Sequence, residues 1–203
     1  MKRFYVFLFL SFFCAISAME QPDIQPDRIT VLMPICISAP NNRAINLLVQ
    51  IPDYFRSIQP IDLRPCREFI PKTDCDENNW SEIITTQTYP GMCMSAAEII
   101  DAVQSGICSC ASEVRVFENK KTSQAKYNSA LLRMIYTTRE RKELLYAYYF
   151  SGQCDCSGLQ YSINLEQISA EEATLKIYRF LRNQVEVGNL PLYAALKKLA
   201  TSE

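Results

Sequence analysis

The stretch "YNSALLRMIYTTRERKELLYAYYFSG" (residues 127–152) decides how this chain is to be read. Two runs rich in β-branched and aromatic residues, 127–138 and 143–152, flank the charged tetrapeptide Arg139-Glu140-Arg141-Lys142. Apolar runs of strand length separated by a short polar turn predict a β-hairpin. Within the second run Tyr146 and Tyr148 share one face and Tyr149 takes the other. Core packing with the hydroxyls left wet is the expected reading of these rings, and an exposed aromatic recognition strip is the alternative.

Working outward, "CASEVRVFEN" (110–119) alternates at Val114 and Val116 and predicts another strand. "LQYSINL" (159–165) predicts a shorter one. "ITVLMPICIS" (29–38) and "INLLVQIP" (45–52) flank "NNRA" and predict a second hairpin, with Pro34 marking an edge or bulge. The proline-rich segment 53–79 reads as irregular and leads into the strand "WSEIITTQTYP" (80–90). Two helices are predicted. Ser95 with Glu98 forms a capping box opening 95–106, with Gly106 placed as its end and Ile99, Ile100 and Val103 as its apolar stripe. Ser169 with Glu172 opens 169–186, with Leu175, Tyr178, Phe180 and Leu181 as apolar surface. "LPLYAALKKLA" (190–200) adds a terminal helix. Runs of strands with segregated helices give an α+β class: an antiparallel sheet of about five to six strands with helices packed on it.

The N-terminus carries a different signal. "MKRFYVFLFLSFFCAISA" has Lys2 and Arg3, then an apolar run, then small residues up to Ala18. That is the pattern of a secretory signal peptide, 1–18, too short to span a bilayer comfortably. Residues 19–28, with Pro22 and Pro26, read as a loose lead, and 29–203 as one α+β domain. No later segment is long and apolar enough to span a membrane, so the processed chain is expected without a transmembrane segment. The expected location is the periplasm or the medium.

Composition narrows function further. The 203 residues include 21 basic and 22 acidic side chains, five glycines and no histidine. A weakly acidic chain without a basic block offers no electrostatic footprint for nucleic acid. The nucleotide-cradling glycine motifs are absent. Without histidine there is no Ser-His-Asp, Cys-His or His-Glu-x-x-His arrangement, and the usual base near neutral pH is missing. The expectation is a non-enzymatic protein with no cofactor and another protein as partner.

Nine cysteines occur, and Cys14 leaves with the signal. The remaining eight are Cys36, Cys66, Cys75, Cys93, Cys108, Cys110, Cys154 and Cys156. An even number after export reads first as disulfides, which would stabilise the fold. Cys108/Cys110 and Cys154/Cys156 form two Cys-x-Cys pairs too tight to close on themselves. On facing strands they would make a double staple. Cys66 with Cys75 would close one loop and leave Cys36 with Cys93. The alternative is a periplasmic soft-metal site for copper or zinc built from Cys108, Cys110, Cys154 and Cys156.

Other candidates have plainer readings. Trp80, the one tryptophan, reads as a core aromatic. Asp74, Asp76 and Glu77 weakly suggest a calcium loop but lack its glycine and terminal glutamate. Lys120, Lys121 and Lys126 form a loose basic group. Finally, Phe69-Ile70-Pro71 followed by Asn79, Trp80, Glu82, Ile83 and Thr85 resembles secreted or envelope proteins of Gram-negative bacteria. The layout is also similar to the PsbP-like α/β/α sandwich. That resemblance implies an exported α+β domain and brings no catalytic residues with it.

Overall fold

The computed structural model describes residues 29–36, 44–58, 66–74, 79–91, 93–123, 128–152 and 155–187. Among the described residues nine strands and two helices run in the order β1 (Ile29–Cys36), β2 (Ala44–Ile51), β3 (Phe55–Ser57), β4 (Cys66–Pro71), β5 (Glu82–Pro90), α1 (Ala96–Cys110), β6 (Glu113–Ser123), β7 (Asn128–Thr137), β8 (Lys142–Ser151), β9 (Asp155–Asn164) and α2 (Ala170–Val187). Seven strands form one sheet in the order β3-β4-β5-β9-β8-β7-β6, every neighbouring pair antiparallel. The fold is therefore α+β, with seven strands in the main sheet where about five to six were expected, and with β1 and β2 in a separate two-stranded sheet. The extra material comes from the segment read as irregular: β3 and β4 lie within 53–79 despite its prolines. Pro71 is tolerated at the end of β4, where it costs no interior ladder bond.

The hairpin read from 127–152 is β7–β8, and β8 lies between β7 and β9. All of β8 after Lys142 is buried. Alternation then splits its side chains between two cores. Leu144, Tyr146, Tyr148 and Phe150 join Ile84, Tyr161, Ile163 and the α2 residues Ala173, Ile177, Phe180 and Leu181. Leu145, Ala147 and Tyr149 join Leu132, Met134, Cys156 and the α1 residues Ala96, Ile99 and Ile100. A helix thus covers each face of the sheet. Among the described residues the β1–β2 hairpin pairs only with itself, and it contributes Val49 and Ile51 to the α2-side core.

Both predicted caps form. The Ser95 hydroxyl accepts from the Glu98 amide at 3.2 Å, and the Glu98 carboxylate accepts from the Ser95 amide at 2.7 Å. Ser169 and Glu172 repeat the exchange. Two details differ. Helix α1 runs through Gly106 to Cys110, because Val103 and Ile107 still pack against the core and outweigh a glycine's cost of about 1 kcal/mol. On α2, Leu175 is exposed, while Ala173, Ile177, Phe180 and Leu181 make the buried stripe at the i, i+4, i+7, i+8 spacing. The terminal helix expected at 190–200 lies outside the described residues, as do the signal and lead segments. No described helix is long and apolar enough to cross a membrane.

Candidate interaction surface

Strand β6 closes one end of the sheet, and among the described residues no strand pairs with its outer edge. Its eleven residues are exposed except for one of intermediate burial. Large apolar side chains sit on this edge: Val114 is 37% exposed, Val116 40% and Phe117 36%. Such exposure is notable because a bare edge presents unpaired backbone donors and acceptors. The strand carries a bulge where pairing with β7 shifts between Val116 and Glu118, leaving Phe117 as the extra residue.

The bulge fixes which way the charges point. Glu113, Arg115, Glu118 and Lys120 face Thr137, Ile135, Arg133 and Leu131 of β7, a set of one parity and so one face. That is the α2 side, since Leu131 belongs to its core. Phe117 lies under two guanidinium groups there, Arg115 at 4.8 Å and Arg133 at 5.1 Å from the ring centre. Glu118 binds Lys120 at 2.7 Å and lies 3.8 Å from Arg133. Arg133 in turn donates to the Tyr178 hydroxyl at 3.0 Å. On the opposite face Lys121 binds Asp101 of α1, and Asn119 donates to Gln104. The basic group read from sequence is thus neutralised within the fold at Lys120 and Lys121; Lys126 lies outside the described residues.

Three buried polar groups were not legible in the sequence. Glu82, 5% exposed, takes the Tyr161 hydroxyl on one oxygen and the Lys176 ammonium on the other. Burial first, and the Glu82 charge second, push the Tyr161 hydroxyl far up, so it donates and does not act as a base near neutrality. Glu143 accepts from the Tyr136 hydroxyl at 2.5 Å and lies 3.6 Å from Arg141. Burial raises Glu143, opposed by that hydrogen bond and by the Arg141 charge. Arg141 stacks over Trp80 at 4.5 Å, so the tryptophan is a half-buried platform for a cation rather than a core ring. The third group surrounds Tyr149, whose hydroxyl donates to Gln87 and accepts from Gln160 at 2.5 Å. Tyr89 also donates to Gln87, at 3.0 Å. Each group ties strands or a helix together.

Asp74, one of the calcium-loop candidates, is spent on local structure: its carboxylate accepts from the amide and hydroxyl of Ser81 at 2.7 and 2.9 Å. Asp76 and Glu77 lie outside the described residues.

The cysteines depart most from expectation. Cys108 and Cys110 occupy the last turns of α1, not a strand, so two residues apart they point in different directions. The double staple between facing strands is therefore corrected. Cys156 lies on β9 opposite Ser151, whose hydroxyl accepts from the Ala96 amide at the other end of α1. Twelve residues of helix separate Ala96 from Cys108, a span of about 18 Å. Cys66 on β4 and Cys156 on β9 flank β5 on opposite sides, about 10 Å apart and beyond disulfide reach. Cys66, Cys93, Cys108, Cys110 and Cys156 are free thiols. Burial pushes Cys66 up to about 11, with Glu68 adding to it, and burial pushes Cys156 up to about 12. Among the described residues no group of three cysteine or acidic side chains converges on a metal-sized space. The side chain of Cys36, and Cys75 and Cys154 altogether, lie outside the described residues, so the pairings drawn through them do too.

No family model matches the chain, and no curated protein matches it either. Among solved structures, the Ran-binding protein Mog1p of Saccharomyces cerevisiae is similar at 9% identity, over 77% of this chain and 85% of that one, with a TM-score of 0.42. A likeness that slight carries no function across.

Proposed function

We propose that this chain is an exported, non-enzymatic protein-binding domain that docks its partner along the outer edge of β6. One observation carries the reading: an eleven-residue edge strand, exposed along its length, displays Val114, Val116 and Phe117 on a rigid sheet. Addition of a partner strand satisfies the edge's backbone groups and covers those side chains. The N-terminal stretch 1–18 supports export, to the periplasm or the medium. In that compartment the exposed thiols of Cys93, Cys108 and Cys110 are the ones open to bridge formation.

Hydrogen exchange tests the docking element. Amides of Glu113–Ser123 gain protection when the docking partner is present, whether supplied by raising the protein's own concentration or by envelope or medium proteins, and Val116→Lys abolishes the gain. Unchanged exchange along β6, with protection appearing on another surface, refutes the proposal. N-terminal sequencing of the exported chain tests processing, which is expected near Ala18.

A further inference from the structure

We infer that the strand completing this edge belongs to β6 of a second copy of the chain, paired antiparallel about a two-fold axis through the bulge. The inference rests on the docking reading above and names its occupant. The α2-side face of β6 carries, in order, Glu113, Arg115, Glu118 and Lys120, with the bulged Val116-Phe117 pair in the middle. Laid antiparallel on itself about that middle, the strand sets Glu113 against the partner copy's lysine 120 and Arg115 against its glutamate 118. Each contact occurs twice by symmetry. All four opposed pairs are of opposite charge, the favourable case for cross-strand neighbours.

The same charges reject the neighbouring registers. Residues facing each other across an antiparallel pair must share a face, so the register slips only in steps of two. One such slip sets Glu113 against glutamate 118 and Arg115 against its own copy. The opposite slip sets Arg115 against lysine 120 and Glu118 against its own copy. Both place like charges together.

The bulge selects the occupant too. A regular strand laid along β6 falls out of phase where Phe117 is inserted, which is how bulges discourage casual pairing. A copy bulged at the same point stays in phase on both sides of it. The centre of the contact is then Val116 and Phe117 meeting their own copies, covering the exposed apolar groups of the edge.

Mass measurement by light scattering across a concentration series, with hydrogen exchange on the same samples, tests this in the full chain. Wild type is expected to shift from monomer to dimer with β6 amides protected in the dimer. Glu113→Lys and Lys120→Glu each replace two attractive contacts by two repulsive ones, and each should weaken the dimer about tenfold or more. Both residues are exposed, so the variants keep the fold, which circular dichroism verifies. An equimolar mixture of the two single variants restores lysine-against-glutamate at every contact and should form heterodimers, as should the double variant with itself. Equal dimerisation by all variants overturns the inference. A protein that stays monomeric while β6 is protected by envelope or medium proteins overturns self-pairing and leaves the docking reading standing. A dimer whose β6 amides exchange freely overturns both.

Discussion

Gly158 is the position where a single methyl group should do the most damage. It lies on β9 directly opposite Tyr149 of β8. A Cβ built there would sit 2.1 Å from Tyr149 Cε1, 2.3 Å from Cδ1 and 2.7 Å from Cζ. The ring cannot step aside cheaply, because Tyr149 is fully buried and its hydroxyl is held by Gln87 and Gln160. Overpacking of this kind costs about 1–3 kcal/mol, and each strained buried hydrogen bond adds about 0.5–1.5 kcal/mol. Gly158→Ala is therefore expected to lose about 2–5 kcal/mol in urea unfolding. Chain entropy opposes this by under about 1 kcal/mol, since alanine restricts the unfolded state. A double-mutant cycle isolates the cause. In a Tyr149→Ala background the same change should cost little, so nearly all of the loss, about 2–5 kcal/mol, should appear as coupling. A midpoint for Gly158→Ala equal to wild type, or a cost that persists without the ring, refutes the account of this strand pair.

Other expectations follow from particular contacts. Gly106→Ala should stabilise the protein by about 0.5–1 kcal/mol, because the residue lies inside α1; destabilisation would mean that the helix ends there instead. Glu82→Leu strands the Tyr161 hydroxyl and the Lys176 ammonium and should cost about 1–3 kcal/mol; a neutral result in thermal melts would show the buried carboxylate to be dispensable. For Glu143, burial raises the folded pKa above the usual 4.5, so between those values the native state holds a proton the unfolded chain has released. Its contribution is then lost as pH rises through that window, and Glu143→Gln should flatten the slope of stability against pH; identical slopes contradict the assignment. In reduced native protein at pH 8, Cys93, Cys108 and Cys110 should react with a disulfide reagent well before the half-buried Cys66 and the buried Cys156, whose thiols are pushed up to about 11 and 12; uniform labelling would refute the placement of Cys156 in the core.

What could be read from the sequence was whatever local pattern encodes. The β7–β8 hairpin showed in apolar runs around a charged turn, and the helix starts showed in Ser95/Glu98 and Ser169/Glu172. Strand alternation placed Tyr146 and Tyr148 on one face and Tyr149 on the other, and all three rings are in the core, the reading favoured over an exposed aromatic strip. What stayed hidden depends on distant partners. Gly106 is a stop signal by composition, but Ile107 beyond it has a core to reach, so the helix continues and carries Cys108 and Cys110 with it. The face of a Cys-x-Cys pair cannot be assigned without knowing whether strand or helix period applies. Glu82, Tyr161 and Lys176 are far apart in the chain and carry no spacing motif; only the antiparallel pairing of β5 with β9, with α2 laid above, joins them. The Phe117 bulge was likewise invisible, since "EVRVFENKK" scans as simple alternation through Val116.

That bulge changes what the charges on β6 mean. Alternating acidic and basic residues on an edge strand are ordinarily a guard, because a stranger laid alongside meets unmatched charge. A guard of this kind would work with any mixed order of signs. The order here is narrower: minus, plus, inserted residue, minus, plus reads as its own complement when reversed. Were Phe117 held in regular alternation instead of the bulge, Glu118 and Lys120 would fall on the other face, and no single register could set all four charges against their opposites. A device that only repels gains nothing from being self-complementary, while one that must refuse strangers and accept its own copy requires it. The same side chains therefore serve exclusion and recognition, and the placement of a single extra residue separates the two.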